Sequence, residues 1–313
     1  MAEFLGEETS DPWEHEAALA FLAISRSEPA AQAIQSTLES GDVRLTAAAL
    51  TVVAERWPDV RFRQSVERYA RDVTASSKLR IPAALALYRM GEGDGFQILA
   101  EYAVGDATET HESGERLNAC GDLAQFTRAE DLEALVPLIG AGAYMWVAFH
   151  LIKEKGEKLI PQLREEFSRA KQKDYVAFTL CQLGDREGFE HTKRVLLNFD
   201  KTVKRDYPII WAIDALIGLY LGQPRRWSSE ELCPFFRELL TQQMRRPLGG
   251  DCTVIGRTLT ELQRCECRGD STHEILTQLQ AHIERDAPWE DEEKAGLAKQ
   301  LAHFRTWLSG PNR

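Results

Sequence analysis

Tyr175–Leu197 reads YVAFTLCQLGDREGFEHTKRVLL, and its pattern predicts two helices joined by a tight turn at Leu183-Gly184-Asp185. An earlier stretch, Ala84–Phe96 (ALALYRMGEGDGF), nearly repeats its core, Ala177–Phe189 (AFTLCQLGDREGF). In both copies, small and apolar residues precede a glycine and an acidic residue follows it. An acidic-Gly-Phe motif then comes in the same place. A helical hairpin that recurs along a chain indicates a repeat architecture.

The turn of this hairpin has a physical explanation. Gly91 and Gly184 stand where the first helix should stop, and glycine takes the left-handed backbone conformation there without steric cost. Glu92 and Asp185 follow at the start of the next helix, where a carboxylate suits the exposed N–H groups and the helix dipole. We therefore expect a helix end, a left-handed glycine and a capped helix start in each copy.

The rest of the chain favours the same kind of structure. It has 313 residues, of which 43% are hydrophobic, so it can bury a large core. Alanine and leucine are abundant and runs of β-branched residues are rare, which favours helices over strands. The prediction is an all-α fold in which helical hairpins stack into an α-α superhelix.

Two segments, AALALYRMGEGDGFQIL (Ala83–Leu99) and AFTLCQLGDREGFEHTKRVL (Ala177–Leu196), resemble bacterial HEAT-type repeats. The resemblance covers residues 12–225. Residues 226–313 are interpreted as degenerate hairpins with a C-terminal cap, so that 1–313 form a single α-solenoid domain. The resemblance to HEAT-type repeats implies a right-handed solenoid with a concave helical face. In that family the common task is to hold another macromolecule, and a minority are enzymes, including bilin lyases and DNA glycosylases.

The net charge and the absence of targeting signals limit the classes of binding partner and the cellular location that the sequence predicts. The formal net charge is −11, which makes nucleic acid an unlikely partner and favours a protein with a basic surface. No apolar run is long enough to cross a membrane. The first residues, MAEFLGEETSDPWEHE, lack the features of a signal peptide. Cys120, Cys181 and Cys233 lie in apolar helical contexts typical of reduced core thiols, so we expect a cytoplasmic location.

The sequence contains two groups of potential metal ligands. One lies in the polar loop 105–115 and comprises Asp106, Glu109, His111, Glu112 and Glu115. The other comprises Cys252, Cys265, Cys267 and His273. Neither has the spacing of a known calcium loop or of paired zinc knuckles, so we expect a solvated loop and ordinary cysteines. The prediction is that no metal and no cofactor bind, and a small-molecule or metal site in the loop 105–115 is the third option for the function.

The candidate binding residues lie in the predicted helices of the concave face. Trp146, Tyr207 and Trp211 are aromatic, and aromatic anchors dominate protein interfaces. Asp214 is the lone carboxylate within the apolar segment Pro208–Leu221. Each has a simpler interpretation, which is a core aromatic residue or a hydrogen-bonded aspartate. A basic helix face with Arg61, Arg68 and Arg71 is interpreted as solvated.

The function predicted from these features is that of a non-catalytic scaffold, adaptor or inhibitor that binds a protein with a basic surface. The chain has no nucleophile elbow, no phosphate-binding glycine loop and no His-Glu-x-x-His motif, and no catalytic residue is assigned. The alternative is an enzyme on the same scaffold, either bilin lyase-like or DNA glycosylase-like. In the second case Asp214 would be the carboxylate to test.

Overall fold

The structure is a computed structural model that describes residues 12–104, 113–143, 145–198, 208–217, 226–246, 252–285 and 289–310. Within these residues every regular element is a helix, so the predicted all-α class is confirmed. The chain divides into two compact units, Met1–His150 and Leu151–Arg313. Each unit is described by itself, and the single domain over 1–313 stays a prediction.

The first unit contains helices in which alternate members are neighbours. Their bounds are α1 Pro12–Ser25, α2 Glu28–Leu38, α3 Val43–Glu55, α4 Arg63–Arg71, α5 Ser77–Arg89, α6 Gly93–Ala103, α7 Ser113–Phe126 and α8 Val136–Gly140, with 3₁₀ turns at Val60–Phe62 and Leu132–Leu135. Helix α9, Met145–Lys155, begins in this unit. Helix α3 contacts α1 and α5, and α5 contacts α7 as well as its own partners α4 and α6. Such contacts are those of hairpins packed side by side.

The second unit repeats this arrangement. After a 3₁₀ turn at Gly156–Leu159 come α10 Ile160–Arg169, α11 Lys173–Gln182, α12 Arg186–Leu197, α13 Pro208–Ile217, α14 Ser229–Arg245, α15 Cys252–Arg264, α16 Asp270–Arg285 and α17 Asp291–Ser309. Helix α11 contacts α13, α13 contacts α15, and α15 contacts α17, while α14 contacts both α12 and α16. That all these hairpins form one continuous solenoid stays a prediction.

The two copies of the repeated turn have the predicted backbone. Gly91 and Gly184 have φ angles of +96° and +85°. Asp185 caps α12 by accepting the Gly188 N–H at 2.9 Å. Glu92 occupies the same position before α6 but makes no cap hydrogen bond. Its carboxylate instead pairs with Arg63 of α4 at 2.9 Å, so this acidic residue joins neighbouring hairpins.

A second glycine in each copy allows the two helices of the hairpin to touch. A Cβ atom on Gly95 would overlap the carbonyl oxygen of Ala84 and the amide nitrogen of Tyr88. A Cβ on Gly188 would lie 2.7 Å from the amide nitrogen of Cys181. At both glycines the added Cβ would lie closer to a backbone atom than van der Waals contact allows. The glycine of the acidic-Gly-Phe motif is therefore required by backbone packing between α5 and α6 and between α11 and α12.

Replacing Gly95 by alanine should destabilise the protein by about 1–3 kcal/mol, because the added methyl group forces two helix backbones apart. The matched control is Gly93→Ala in the same helix, where an added Cβ meets nothing within 4 Å. That control should stay within about 1 kcal/mol of the wild type. Urea unfolding measures both values. Equal stability of the two variants would contradict the backbone contact.

One cysteine prediction is wrong. Cys233 of α14, expected as a reduced core thiol, forms a disulfide with Cys267 in the turn between α15 and α16. The two Cα atoms are 5.4 Å apart, within bridging range. The partners are 34 residues apart in sequence, so the pairing needed the positions of three helices. Cys120 and Cys181 are buried free thiols, as predicted.

Reduction of the Cys233–Cys267 bridge should lower the free energy of unfolding by about 2–4 kcal/mol, because the open chain gains conformational entropy when it unfolds. Cys233→Ser should have a comparable effect without reductant. Cys252→Ser is the control. It changes a partly exposed thiol that is not part of a disulfide and that donates to Glu293 Oε1 at 3.0 Å, a contact that serine can also make, so stability should change little. Thiol titration of the unfolded, unreduced protein should find four free groups. Six free groups would show that the bridge does not form.

Candidate functional site

A cavity of about 650 Å³ opens in the first unit on one face of three neighbouring helices. Its lining residues recur at helical spacing, which places them on a single face of each helix. They are Ala47, Thr51, Ala54 and Glu55 in α3; Ser77, Lys78, Ile81, Pro82 and Leu85 in α5; Leu117, Asn118, Gly121, Asp122 and Gln125 in α7; and Trp146 in α9. The cavity is therefore a product of stacking, because no single hairpin contains it.

Two large apolar side chains of the lining are exposed. Leu117 exposes 44% of its surface and Trp146 exposes 47%. The Trp146 ring packs edge-on against Phe149, with ring centroids 6.3 Å apart, which orients it from its own helix. Exposed apolar side chains at the edge of a concave site are typical of surfaces that bind a partner.

Several polar side chains of the lining make no contact of their own with the described part of the chain. Five of them make no hydrogen bond and no ion pair to another described residue, namely Glu55, Lys78, Asn118, Asp122 and Gln125. Pro82 adds a further acceptor, because proline has no N–H to donate to the carbonyl of Lys78 one turn earlier in α5. The cavity thus presents donors and acceptors that internal packing does not use.

Asp122 is the most perturbed of these groups. It is partly buried on α7, and burial together with the nearby charge of Glu55 raises its pKa to about 7. Two carboxyl groups therefore face the cavity, and one of them titrates near neutral pH. Carboxyl groups with such pKa values concentrate at binding and catalytic sites.

Arg89 of α5 makes no ion pair with Asp122, although its charge interacts with that of Glu55. Its guanidinium donates to the carbonyl oxygen of Ala54 in the last turn of α3. It also lies over the Phe126 ring of α7, 4.8 Å from the centroid. Burial lowers its pKa from the usual value, while the charge of Glu55 acts in the opposite direction. Arg89 therefore joins three helices at one end of the cavity.

The four residues that the sequence predicts on the concave face are Trp146, Tyr207, Trp211 and Asp214, and the structure does not describe all of their side chains. Trp146 lines the cavity. Tyr207 lies outside the described residues, and so does the side chain of Trp211, whose backbone belongs to α13. Asp214 lies in the second unit and is fully buried. Of the four residues, Trp146 and Asp214 have described side chains, and of these two only Trp146 lines the cavity.

Asp214 belongs to a buried ion-pair cluster. Arg257 of α15 donates from Nη2 to its Oδ1. Glu261, also fully buried, lies with its Oε1 3.5 Å from Arg257 Nε and 3.1 Å from Arg264 Nη1. Burial raises the pKa of Glu261. The cluster joins α13 to α15, which is the hydrogen-bonded inter-repeat role that the sequence left open for Asp214.

The arginines of the predicted basic face, which lie in α4 and in the 3₁₀ turn before it, make ion pairs and hydrogen bonds. Arg61 pairs with Glu28 at 3.2 Å, and Arg71 pairs with Asp94 of α6 at 3.0 Å. Arg68 donates to the Tyr69 hydroxyl at 2.8 Å. These contacts match the interpretation as a solvated face and link neighbouring hairpins.

The described residues show no group of three or more His, Cys, Asp or Glu side chains arranged to hold a metal ion. Residues 105–112 of the acidic loop lie outside them. In the second candidate group, Cys267 is bonded to Cys233 and its sulfur is not a thiolate ligand. Among the described helices, none combines the length and the apolar character needed to cross a membrane.

No family model, no curated protein and no solved structure matches the chain. The resemblance to HEAT-type repeats therefore stays a prediction. The site has to be interpreted from its own residues.

Asp122 and Glu55 are site residues that the sequence analysis did not single out. A signal was present, because positions 77, 78, 81, 82 and 85 of α5 correspond to 117, 118, 121, 122 and 125 of α7. In this alignment of the two helices, Asp122 of α7 takes the position of Pro82 in α5, so a carboxylate stands where α5 has an uncharged side chain. Its closeness to Glu55, however, depends on how three hairpins stack.

Asp122→Asn should stabilise the protein at alkaline pH. The folded state holds the Asp122 proton more tightly than the unfolded chain, so the wild type loses stability as pH rises from about 4 to about 7. The variant has no such loss and should be more stable by roughly 1–3 kcal/mol above about pH 8, with little difference below about pH 4. Urea unfolding across this pH range measures the effect. A variant that is less stable than the wild type at high pH would contradict the raised pKa.

Proposed function

We propose that the protein is a non-catalytic HEAT-like repeat scaffold that binds another protein, and that a segment of this partner docks in the cavity between α3, α5 and α7. The observation that carries the proposal is the combination of exposed Leu117 and Trp146 with five polar side chains that have no internal partner. Apolar anchors beside polar side chains that solvent reaches and that internal packing leaves available are the composition of a recognition site. The net charge of −11 favours a basic partner.

The alternative function is an enzyme on the same scaffold. The observation in its favour is the raised pKa of Asp122, which would suit a general acid or base. The charged lining consists of two carboxylates and Lys78, a balance that disfavours a phosphodiester substrate. Asp214 is buried and paired with Arg257, which leaves no free carboxylate there for a DNA glycosylase-like reaction. We therefore place the enzymatic function second, and failure to bind duplex DNA at low salt would remove its glycosylase version.

A cytoplasmic location is part of the expectation from the sequence, but the Cys233–Cys267 disulfide does not support it. Disulfides form and persist mainly in oxidising compartments. The proposal of protein binding is independent of the compartment.

Gly121→Leu should abolish partner binding while leaving the fold intact. Gly121 lies within α7 on the cavity lining, and an added Cβ there meets nothing within 4 Å, so a leucine side chain would fill the cavity. The matched control is Gly296→Leu in α17, another helical glycine with open space around it. The measurement is selection from a random-peptide display library, followed by affinity measurements on the enriched peptides.

The expected result is a set of peptides that bind the wild type and Gly296→Leu equally and Gly121→Leu at least about tenfold more weakly. Binding should also weaken as salt increases. Trp146→Ala should reduce affinity, whereas Phe21→Ala, which removes an exposed aromatic ring outside the cavity, should not. The proposal fails if no peptide distinguishes Gly121→Leu from the wild type.

A further inference from the structure

We propose that the end of the cavity formed by Glu55 and Asp122 receives one cationic side chain, a lysine or an arginine, of the docked partner segment. The inference rests on the proposed function and names the chemical group that the site would recognise. Its basis is the geometry and charge of the described residues around Asp122.

The charged groups near Asp122 come from α3 and α5. Helix α3 contributes Glu55, α5 contributes Lys78 and Arg89, and α9 contributes the uncharged Trp146. Neither carboxylate has a cation within ion-pair distance among the described residues, since Lys78 makes no such contact and Arg89 donates to the Ala54 carbonyl. Helix α6 packs against α7 but supplies no lining residue. Glu55 and, once it is ionised, Asp122 make this end of the cavity acidic, although Arg89 lies near enough to Glu55 for their charges to interact.

Arg116 is the only arginine described within α7. Its guanidinium donates from Nε to the carbonyl oxygen of Ala103 at 3.0 Å and from Nη2 to that of Gly142. It does not line the cavity. The arginine of the helix that carries Asp122 is therefore committed to the backbone of its neighbours.

The end of the cavity around Glu55 and Asp122 is rich in hydrogen-bond acceptors. Glu55 and Asp122 accept through four carboxylate oxygens when ionised, and the Lys78 carbonyl lacks its usual helical donor because residue 82 is proline. Gln125 adds an unpaired amide oxygen. An ammonium group offers three N–H donors and a guanidinium offers five, so either matches this surplus of acceptors. An anionic or purely apolar group would leave the acceptors buried and unpaired.

The lining of the cavity also has an apolar part. Leu117 and Trp146 are exposed in the same cavity. Lysine and arginine bury a hydrocarbon stem while their charged ends reach polar groups, and both are attracted to aromatic faces. A basic side chain therefore matches both the apolar and the acidic parts of the cavity. A metal ion would use only the acidic part.

Such a contact has a consequence for pH. Near neutral pH, Asp122 carries its proton for part of the time, and a cation binds the ionised form better than the protonated form. Partner binding should therefore release a proton from Asp122 and tighten as pH rises from about 6 to about 8. Asp122→Asn should remove this pH dependence.

The experiment uses peptides selected on the wild-type protein at about pH 8, where Asp122 is largely ionised. Sequencing of the enriched peptides tests for a lysine or arginine next to an apolar residue. Affinities are then measured for Asp122→Asn and Glu55→Gln, with Glu101→Gln as the control. Glu101 is an exposed carboxylate of α6 that does not line the cavity. Calorimetry in two buffers of different ionisation enthalpy counts the protons released.

Support would consist of a shared basic residue in the peptides, a loss of about tenfold or more in affinity for Asp122→Asn at pH 8, and no more than about twofold for Glu101→Gln. Replacing the shared basic residue by norleucine should cause a similar loss on the wild type and little further loss on Asp122→Asn. Thermal unfolding checks that the variants are folded.

Two other outcomes are distinguishable. Peptides that need an open cavity, as shown by Gly121→Leu, but carry no basic residue or bind Asp122→Asn unchanged would overturn this inference and leave the proposed function standing. A failure to enrich any peptide that needs the cavity would overturn both.

Discussion

The contact between helix backbones inside the repeated hairpin is the constraint on which the rest of the first unit depends. Gly95 brings α6 against the backbone of α5 at Ala84 and Tyr88. With α4, α6 and the neighbouring α3 and α7 packed around it, α5 is buried continuously from Ala83 to Tyr88. The face that remains between α3, α5 and α7 forms the cavity. A looser hairpin would separate the residues that line it.

Local features of the fold could be predicted from the sequence because they depend on neighbouring residues. A glycine that follows an apolar helix and precedes an acidic residue determines a left-handed turn and the start of the next helix. Gly91 and Gly184 both show this backbone. The helical class follows from composition and from the recurrence of the hairpin. The acidic residue pairs with an arginine of the preceding hairpin in both copies, Glu92 with Arg63 and Asp185 with Arg164. The copies differ in that Asp185 also accepts the Gly188 N–H, whereas Glu92 makes no cap hydrogen bond.

The features that could not be predicted depend on stacking between hairpins. Cys233 and Cys267 have no local signature of pairing, and they meet only because α14 and the α15–α16 turn are neighbours. Asp122 reads in sequence as one polar residue in a helix. Its unusual environment requires Glu55 from another hairpin and the commitment of Arg89 to a backbone carbonyl. Trp146 could be selected by residue type alone, whereas its partners in the cavity could not.

Asp122 differs from other carboxylates that packing removes from water, because those carboxylates have a hydrogen-bond donor beside them. Asp131 accepts the Tyr88 hydroxyl at 2.7 Å and pairs with Arg128, which together lower its pKa. Asp185 is buried with Arg164 at 2.6 Å, and Asp214 is buried with Arg257. At these positions the fold supplies a donor for each carboxylate that packing removes from water. At Asp122 the same stacking brings a second carboxylate and no donor, which costs stability at neutral pH. Natural proteins keep such local conflicts chiefly at functional or strained sites, so the proposed binding of a cationic partner group at Asp122 would explain why this one is kept.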